Sequence, residues 1–316
     1  MKVDALIDQC TKGNHRAAAK LITLIENKEY LEEIIPKLYP YRKNSYIIGI
    51  TGAPGVGKST ITDKLITQFR HYNATVGVVA IDPTSPFSGG ALLGDRIRLQ
   101  KHATDERVFI RSMGSRGHLG GLAPATNDVL TVLAALGCDY IIIETVGVGQ
   151  SEIEIVKYAD MVLLVLTPGS GDSMQVMKAG IMEIGDIFVI NKCDRPGVDK
   201  IESELNLIQQ INQHKDRLRP IAKIVAPKEI GMDILYKMIM ELKNEQEKSS
   251  EIIMKHRVRI KNEILSNLQD SIYSHIQTNL IPEKKMETCV DIVFDNKSDP
   301  ITMSRKLLDE YQKNLS

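Results

Sequence analysis

One segment of the chain has the residue types and spacing of a phosphate-binding loop. It reads Gly52-Ala-Pro-Gly55-Val56-Gly57-Lys58-Ser59-Thr60 and matches the pattern G-x-x-x-x-G-K-[S/T]. Glycines let the backbone turn so that its N–H groups face phosphate, and the N-terminus of the next helix adds positive potential. We expect Lys58 to reach the β- and γ-phosphates, Ser59 to bind Mg²⁺ and Thr60 to face the α-phosphate. The alternative is a glycine-rich turn with an incidental lysine.

A second motif supplies an acid suited to Mg²⁺, which prefers oxygen ligands. The apolar run 140–143 ends in Glu144-Thr-Val-Gly147, where glutamate takes the place of aspartate in the usual D-x-x-G pattern. We expect Glu144 to hold Mg²⁺ or its waters and the N–H of Gly147 to meet the γ-phosphate. The alternative is that Glu144 merely ends a strand at the edge of the sheet.

Two further acids, Asp82 and Asp95, lie on segments expected to meet the same crevice. Asp82 is a candidate for binding Mg²⁺ and for orienting the attacking water, and Asp95 is a candidate Mg²⁺ ligand in one nucleotide state. Both acids have an alternative interpretation as helix caps or solvated loop residues.

The motif Asn191-Lys192-Cys-Asp194 follows a later apolar run and predicts a guanine site. A carboxylate at Asp194 accepts from both N1–H and the exocyclic amine of guanine, whereas adenine lacks that donor pair. The motif therefore predicts GTP over ATP, with Asn191 organising the loop and Lys192 lying along the base. Ala226 and Pro227 are weaker candidates for a backbone contact to the guanine oxygen.

The elements around these motifs alternate between apolar β-branched runs and helical patterns, which is typical of an α/β protein with a mostly parallel sheet covered by helices on both faces. We predict a P-loop NTPase domain over 45–228, an N-terminal helical extension over 1–44 and a C-terminal helical extension over 229–316. The predicted strands are 46–51, 75–81, 107–111, 140–145, 161–167, 187–191 and 222–225, and the helix after the phosphate loop is predicted over 58–69.

The C-terminal extension contains a long amphipathic pattern over 252–276. Its apolar residues recur three or four positions apart, as expected for one face of a helix. Such a stripe predicts that this face of the helix is buried, but it does not predict which surface covers it. The stripe therefore fits either packing on its own domain or a dimer interface. The stripe comprises Met254, Val258, Leu265, Leu268, Ile272 and Ile276.

The amino-acid composition limits the classes of partner that the protein is expected to bind and indicates its cellular location. Forty basic and forty acidic residues cancel in a chain of 316 residues, so the electrostatic footprint of a nucleic-acid or anionic-membrane binder is missing. The four cysteines form no C-x-x-C pair, the first ten residues lack a targeting pattern, and no apolar run approaches the roughly 20 residues of a membrane helix. We expect a soluble cytoplasmic protein without a disulfide framework.

Longer segments resemble the MeaB/ArgK family of P-loop GTPases, and this resemblance extends over nearly the whole chain. Beyond the phosphate loop it includes Ile81-Asp-Pro-Thr-Ser-Pro-Phe-Ser-Gly-Gly90, Gly94-Asp-Arg-Ile-Arg98, Arg111-Ser-Met-Gly-Ser-Arg-Gly-His-Leu-Gly-Gly-Leu122 and Glu144-Thr-Val-Gly-Val-Gly-Gln-Ser-Glu152. Members are chaperones of adenosylcobalamin-dependent acyl-CoA mutases, and the human counterpart is a methylmalonic aciduria protein.

The resemblance implies a GTP-binding and GTP-hydrolysing chaperone, usually dimeric, that gates cofactor loading and protects a mutase of the methylmalonyl-CoA mutase type. It implies that Lys58, Ser59, Asp82, Asp95 and Glu144 serve phosphate and Mg²⁺. Switch segments are expected near 82–98 and 144–152, and the loop 167–178 is similar to an additional switch of the family. From the residues alone, that loop also fits an ordinary surface loop.

Val148 follows Gly147 where small signalling GTPases place a water-orienting glutamine. We therefore expect slow intrinsic hydrolysis, with Asp82, Gln150 or a residue of the partner compensating. Two other functions stay open: a nucleotide-dependent kinase linked to amino-acid transport, and a metal-insertase GTPase. The absence of a His-rich tract or Cys-His cluster in the sequence weighs against the insertase.

Overall fold

The structure is a computed structural model that describes residues 3–82, 99–114, 125–145, 151–169, 181–211, 218–279 and 283–315. The chain divides into two compact units, Met1–Lys255 and His256–Ser316. Within the described ranges, no helix combines the length and the apolar character that crossing a membrane requires.

The first unit contains a sheet of seven strands in which every neighbouring pair is parallel. This confirms the predicted α/β class, and the predicted strands differ from the observed ones only at their ends. The strand order is β3-β2-β4-β1-β5-β6-β7. The strands are β1 Tyr46–Thr51, β2 Val76–Asp82, β3 Val108–Gly114, β4 Tyr140–Thr145, β5 Met161–Leu166, β6 Ile187–Ile190 and β7 Ile221–Lys223.

Helices precede, separate and follow these strands. The N-terminal helical pattern forms three separate helices, and the helix after the phosphate loop starts at Lys58 as predicted. Among the described residues of the first unit, the helices are α1 Val3–Thr11, α2 His15–Glu26, α3 Leu31–Leu38, α4 Lys58–His71, α5 Thr126–Leu136, α6 Ser151–Glu154, α7 Val198–Ile211 and α8 Met232–Lys248. Short 3-10 turns cover Gln100–His102 and Ala226–Lys228.

Helix α9, Glu251–Asn279, contains the boundary between the two units. The second unit also contains α10, Glu283–Phe294, and α11, Pro300–Leu315. The amphipathic pattern over 252–276 lies within α9, and the final helix that the sequence predicts over 302–313 lies within α11. No sequence pattern predicted α10.

Apolar side chains of successive strand residues enter different cores, because neighbouring positions on a strand point to opposite faces. Ile47 of β1 packs in one core with α1, α2, α3 and α5. Ile48, the next residue, packs in the other core with α4 and α8. Helices thus cover both faces, as predicted. The predicted segment boundaries after residues 44 and 228 stay predictions, and α1 to α3 and α8 share the cores that enclose the sheet.

The strand register brings the predicted motifs to one edge of the sheet. Ile50, near the end of β1, pairs with Glu144 in β4, and Thr51 pairs with Leu164 in β5. Because parallel strands all end at the same edge, the segments following β1, β6 and β7 lie there beside the end of β4. These segments include the phosphate loop and the predicted guanine-binding residues.

Candidate nucleotide site

The phosphate loop turns sharply between β1 and α4. Gly52, Gly55 and Gly57 have φ values of 140°, 76° and 102°, which L-residues with a side chain rarely adopt. At Gly52 a Cβ atom would lie 2.2 Å from the carbonyl oxygen of Val165 on the neighbouring β5. Glycine is therefore required at this position both for its conformation and for the close approach of β5.

The Lys58 side chain folds back into this loop. Its Nζ donates to the carbonyl oxygens of Gly52 at 2.7 Å and Ala53 at 3.0 Å, and the side chain is buried. Thr60 follows within the first turn of α4 and is partly exposed. The loop thus holds the ammonium group at the N-terminal end of α4, where positive potential favours an anion.

Ser59 and Glu144 lie together, as the magnesium prediction requires. Ser59 Oγ donates to Glu144 Oε1 at 2.5 Å, and Glu144 is only 5% exposed. Thr62 Oγ1 donates to the other carboxylate oxygen, Oε2, at 2.8 Å. A hydroxyl and a carboxylate are hard oxygen donors, so this pair fits Mg²⁺. Sequence motifs identified Ser59 and Glu144, but they contain no signal for Thr62.

The side chain of Asn191 connects the phosphate loop to the two predicted guanine-binding loops, 191–194 and 226–227, which are called the base loops below. Its Nδ2 donates to the carbonyl oxygen of Val56 at 2.8 Å, and its Oδ1 accepts from the backbone N–H of Ala226 at 3.1 Å. Lys192 Nζ donates to the carbonyl oxygen of Gly55 at 2.7 Å. Three loops that are distant in sequence are therefore fastened into one crevice wall.

Asp194 presents its carboxylate at the surface and pairs with Lys228, with 3.0 Å between Oδ2 and Nζ. The hydrogen bond from Lys228 holds the pKa of Asp194 below its ordinary value, so the carboxylate is ionised at neutral pH and accepts hydrogen bonds. Ala226 already donates its N–H to Asn191, and Pro227 has no N–H to offer. Their contact with guanine stays a prediction.

The remaining predicted site residues have no described side chains. Asp82 ends β2, where its backbone pairs with Gly114 of β3. Asp95, Gly147 and Gln150 lie outside the described residues, as do most of the predicted switch segments. Their roles in hydrolysis and magnesium binding stay predictions.

A phosphate loop between β1 and α4, an acid at the end of the adjacent β4 and an N-K-x-D motif after β6 together define a P-loop protein of the GTPase class. The chain belongs to the MeaB family: residues 18–280 match the family model described as methylmalonyl-CoA mutase-associated GTPase MeaB. This confirms the resemblance seen in the sequence. The chain is accordingly a GTPase that binds guanine nucleotide.

Individual relatives agree with this assignment. The chain is 49% identical over 313 residues to a protein of Pyrococcus abyssi named as a GTPase, with 98% of this chain and 96% of that one covered. It is 30% identical over 300 residues to the mitochondrial methylmalonic aciduria type A homolog of Mus musculus, with 88% and 72% covered. A solved structure titled LAO/AO transport system kinase shares the fold, with a TM-score of 0.71, 22% identity and coverage of 98% and 97%.

The position of Asn191 predicts the effect of its loss. Asn191→Ala removes the hydrogen bonds to Val56 and Ala226 from a buried site, so we expect the free energy of unfolding to fall by about 1–3 kcal/mol. Urea-induced unfolding of the full chain measures this change. Cys193→Ser is the matched control, because the neighbouring thiol is partly buried and donates only to the carbonyl of Ile190. A loss for Asn191→Ala no larger than that of the control contradicts the bridging role.

Proposed function

We propose that this chain uses GTP binding and hydrolysis to gate cofactor loading into, and to protect, an adenosylcobalamin-dependent acyl-CoA mutase of the methylmalonyl-CoA mutase type. The observation that carries the proposal is the match over residues 18–280 to a family described as mutase-associated. The mouse relative, whose name refers to methylmalonic aciduria, lends further support. A cytoplasmic location and the partner mutase are part of the proposal.

The contacts of the phosphate loop support a division of roles along the triphosphate. Lys58 and the loop amides bind the phosphates, and Ser59 with Glu144 would hold Mg²⁺, with Asp82 and Asp95 as further candidates. A bound Mg²⁺ would offset the negative charge of the β- and γ-phosphates. Glu144 hydrogen-bonds to Ser59 in α4 and begins the predicted switch 144–152, which supports the proposal that this segment responds to a change at the phosphates.

The base loops support selectivity for guanine. The Asp194 carboxylate is ionised and lies on the loop that Asn191 ties to the phosphate loop. Guanine offers this carboxylate two N–H donors, whereas adenine leaves it without them. Lys228 also donates a hydrogen bond to this carboxylate, with 3.0 Å between Nζ and Oδ2.

Slow hydrolysis is the expected default of this site, because Val148 stands where small signalling GTPases carry a glutamine. We propose that Asp82, Gln150 or a residue of the mutase orients the attacking water. If the mutase completes the site, fast GTP turnover occurs only in the complex. A chaperone that must release its client after hydrolysis requires this dependence.

We also propose that the active form is a homodimer. Five residues of the amphipathic stripe in α9 are between 45% and 63% exposed in the single chain: Met254, Val258, Leu265, Leu268 and Ile272. Exposed apolar side chains at helical spacing are typical of protein interaction sites. A second copy of the chain would remove it from water.

A mutase of the cognate type should accelerate GTP turnover by about tenfold or more, because it either supplies the group that orients the attacking water or places the chain's own group correctly. Phosphate release by the full chain is measured with and without the mutase, and a Lys58→Ala chain is the control for contaminating activity. Light scattering during size-exclusion chromatography of the same samples tests whether the chain and the mutase form a complex. For the free protein, the same measurement should give the mass of two chains. Equal turnover with and without mutase contradicts the chaperone proposal.

Asp194→Asn should transfer preference from guanine to xanthine nucleotides, because the amide can donate to the O2 of xanthine but no longer accepts two N–H groups. Competition binding of GTP, XTP and ATP to the two chains measures the preference. We expect GTP affinity to fall about a hundredfold or more. Unchanged GTP affinity shows that Asp194 does not read the base and favours a kinase of broader nucleotide use.

A further inference from the structure

Two hydroxyl groups of α4 hold the two oxygens of the Glu144 carboxylate. Ser59 Oγ lies 2.5 Å from Oε1, and Thr62 Oγ1 lies 2.8 Å from Oε2. Residues three positions apart lie on the same face of a helix, so both hydroxyls face β4 from successive turns. Thr62 is fully buried. Each oxygen of the carboxylate thus accepts a hydrogen bond from α4, the helix that follows the phosphate loop.

The glutamate at this position explains why a second contact is needed. Glutamate has one more methylene group, and one more rotatable bond, than the aspartate of the usual D-x-x-G pattern. Fixing a longer side chain in one rotamer costs more conformational entropy. A hydroxyl donating to an ionised carboxylate forms a strong, charge-assisted hydrogen bond that offsets this cost.

We propose that Thr62 is a positioning residue of the magnesium site: by holding Oε2, it keeps Oε1 of Glu144 beside Ser59. Thr62 lies outside the phosphate-loop motif, and its hydroxyl donates to Glu144. The inference rests on the proposed function, because it takes Ser59 and Glu144 as the groups that hold Mg²⁺ or its waters.

A purely structural role for Thr62 makes a different prediction. If its hydroxyl only satisfies a buried carboxylate, its removal weakens folding and nucleotide binding equally with and without Mg²⁺. If it positions Glu144 for the cation, its removal changes the Mg²⁺ concentration at which nucleotide is retained. The Mg²⁺ dependence of nucleotide release therefore separates the two roles without any measurement of hydrolysis.

The test follows dissociation of fluorescent mant-GDP from the full chain across a range of Mg²⁺ concentrations and in EDTA. For Thr62→Val we expect the half-effective Mg²⁺ concentration to rise about tenfold, since one charge-assisted hydrogen bond is lost, with release in EDTA unchanged. Thr62→Ser should restore the wild-type value. Thr67→Val is the matched control, because this hydroxyl on the same helix donates only to the backbone carbonyl of Asp63, at 3.1 Å.

A double-mutant cycle with Glu144→Asp identifies the partner of Thr62. Aspartate is too short to keep both contacts with α4, so Thr62→Val should change the Mg²⁺ dependence less than about twofold in that background. Thr62→Ala replaces Thr62→Val throughout if the valine chain does not fold.

Three results overturn the inference, and they are distinguishable. A shift below about twofold for Thr62→Val in the Glu144 chain leaves the proposed function intact and removes the positioning role. An equal effect in EDTA and in Mg²⁺ assigns Thr62 a structural role. A wild-type chain that retains mant-GDP independently of Mg²⁺ overturns the magnesium site in the proposed function, and the inference fails with it.

Discussion

Parallel pairing of β1 with β4 and β5 is the constraint on which the nucleotide site depends. Because these strands run in the same direction, their carboxyl ends lie at the same edge of the sheet. The register then sets the details, since Ile50 lies opposite Glu144 and the turn at Gly52 passes within contact distance of Val165. Residues that are remote in sequence become neighbours without any dedicated binding domain.

Hydrogen bonds from polar side chains position the loops that the sheet brings together. Asn191 satisfies one carbonyl and one N–H on two different loops, and the Glu144 carboxylate receives hydroxyl groups from two turns of α4. A buried polar group without a hydrogen-bond partner raises the free energy of the folded state. The hydrogen bonds of Asn191 and Glu144 therefore favour the observed positions of the loops and of α4. These hydrogen bonds connect the phosphate loop to the loops that follow β6 and β7, and they connect α4 to the end of β4.

The sequence predicted those parts of the site that local patterns encode. Glycines with a following lysine specify a turn before a helix, and uninterrupted β-branched runs specify buried parallel strands, so the phosphate loop and the sheet were predicted correctly. Thr62 was not predicted, because its contact with Glu144 depends on strand register across 82 residues of chain. Helix α10 was also missed, since its apolar residues are concentrated within 289–294 and α10 begins beyond the long pattern of α9.

The proposed function requires one crevice that binds magnesium together with a guanine nucleotide. Isothermal titration calorimetry of the full chain with a slowly hydrolysed GTP analogue, and with the matching ATP analogue, tests this in the presence of Mg²⁺ and of EDTA. We predict saturable binding of the guanine compound that weakens at least about tenfold in EDTA, and adenine binding weaker by about a hundredfold or more. No heat from the guanine compound, or equal affinity for both bases, contradicts the account.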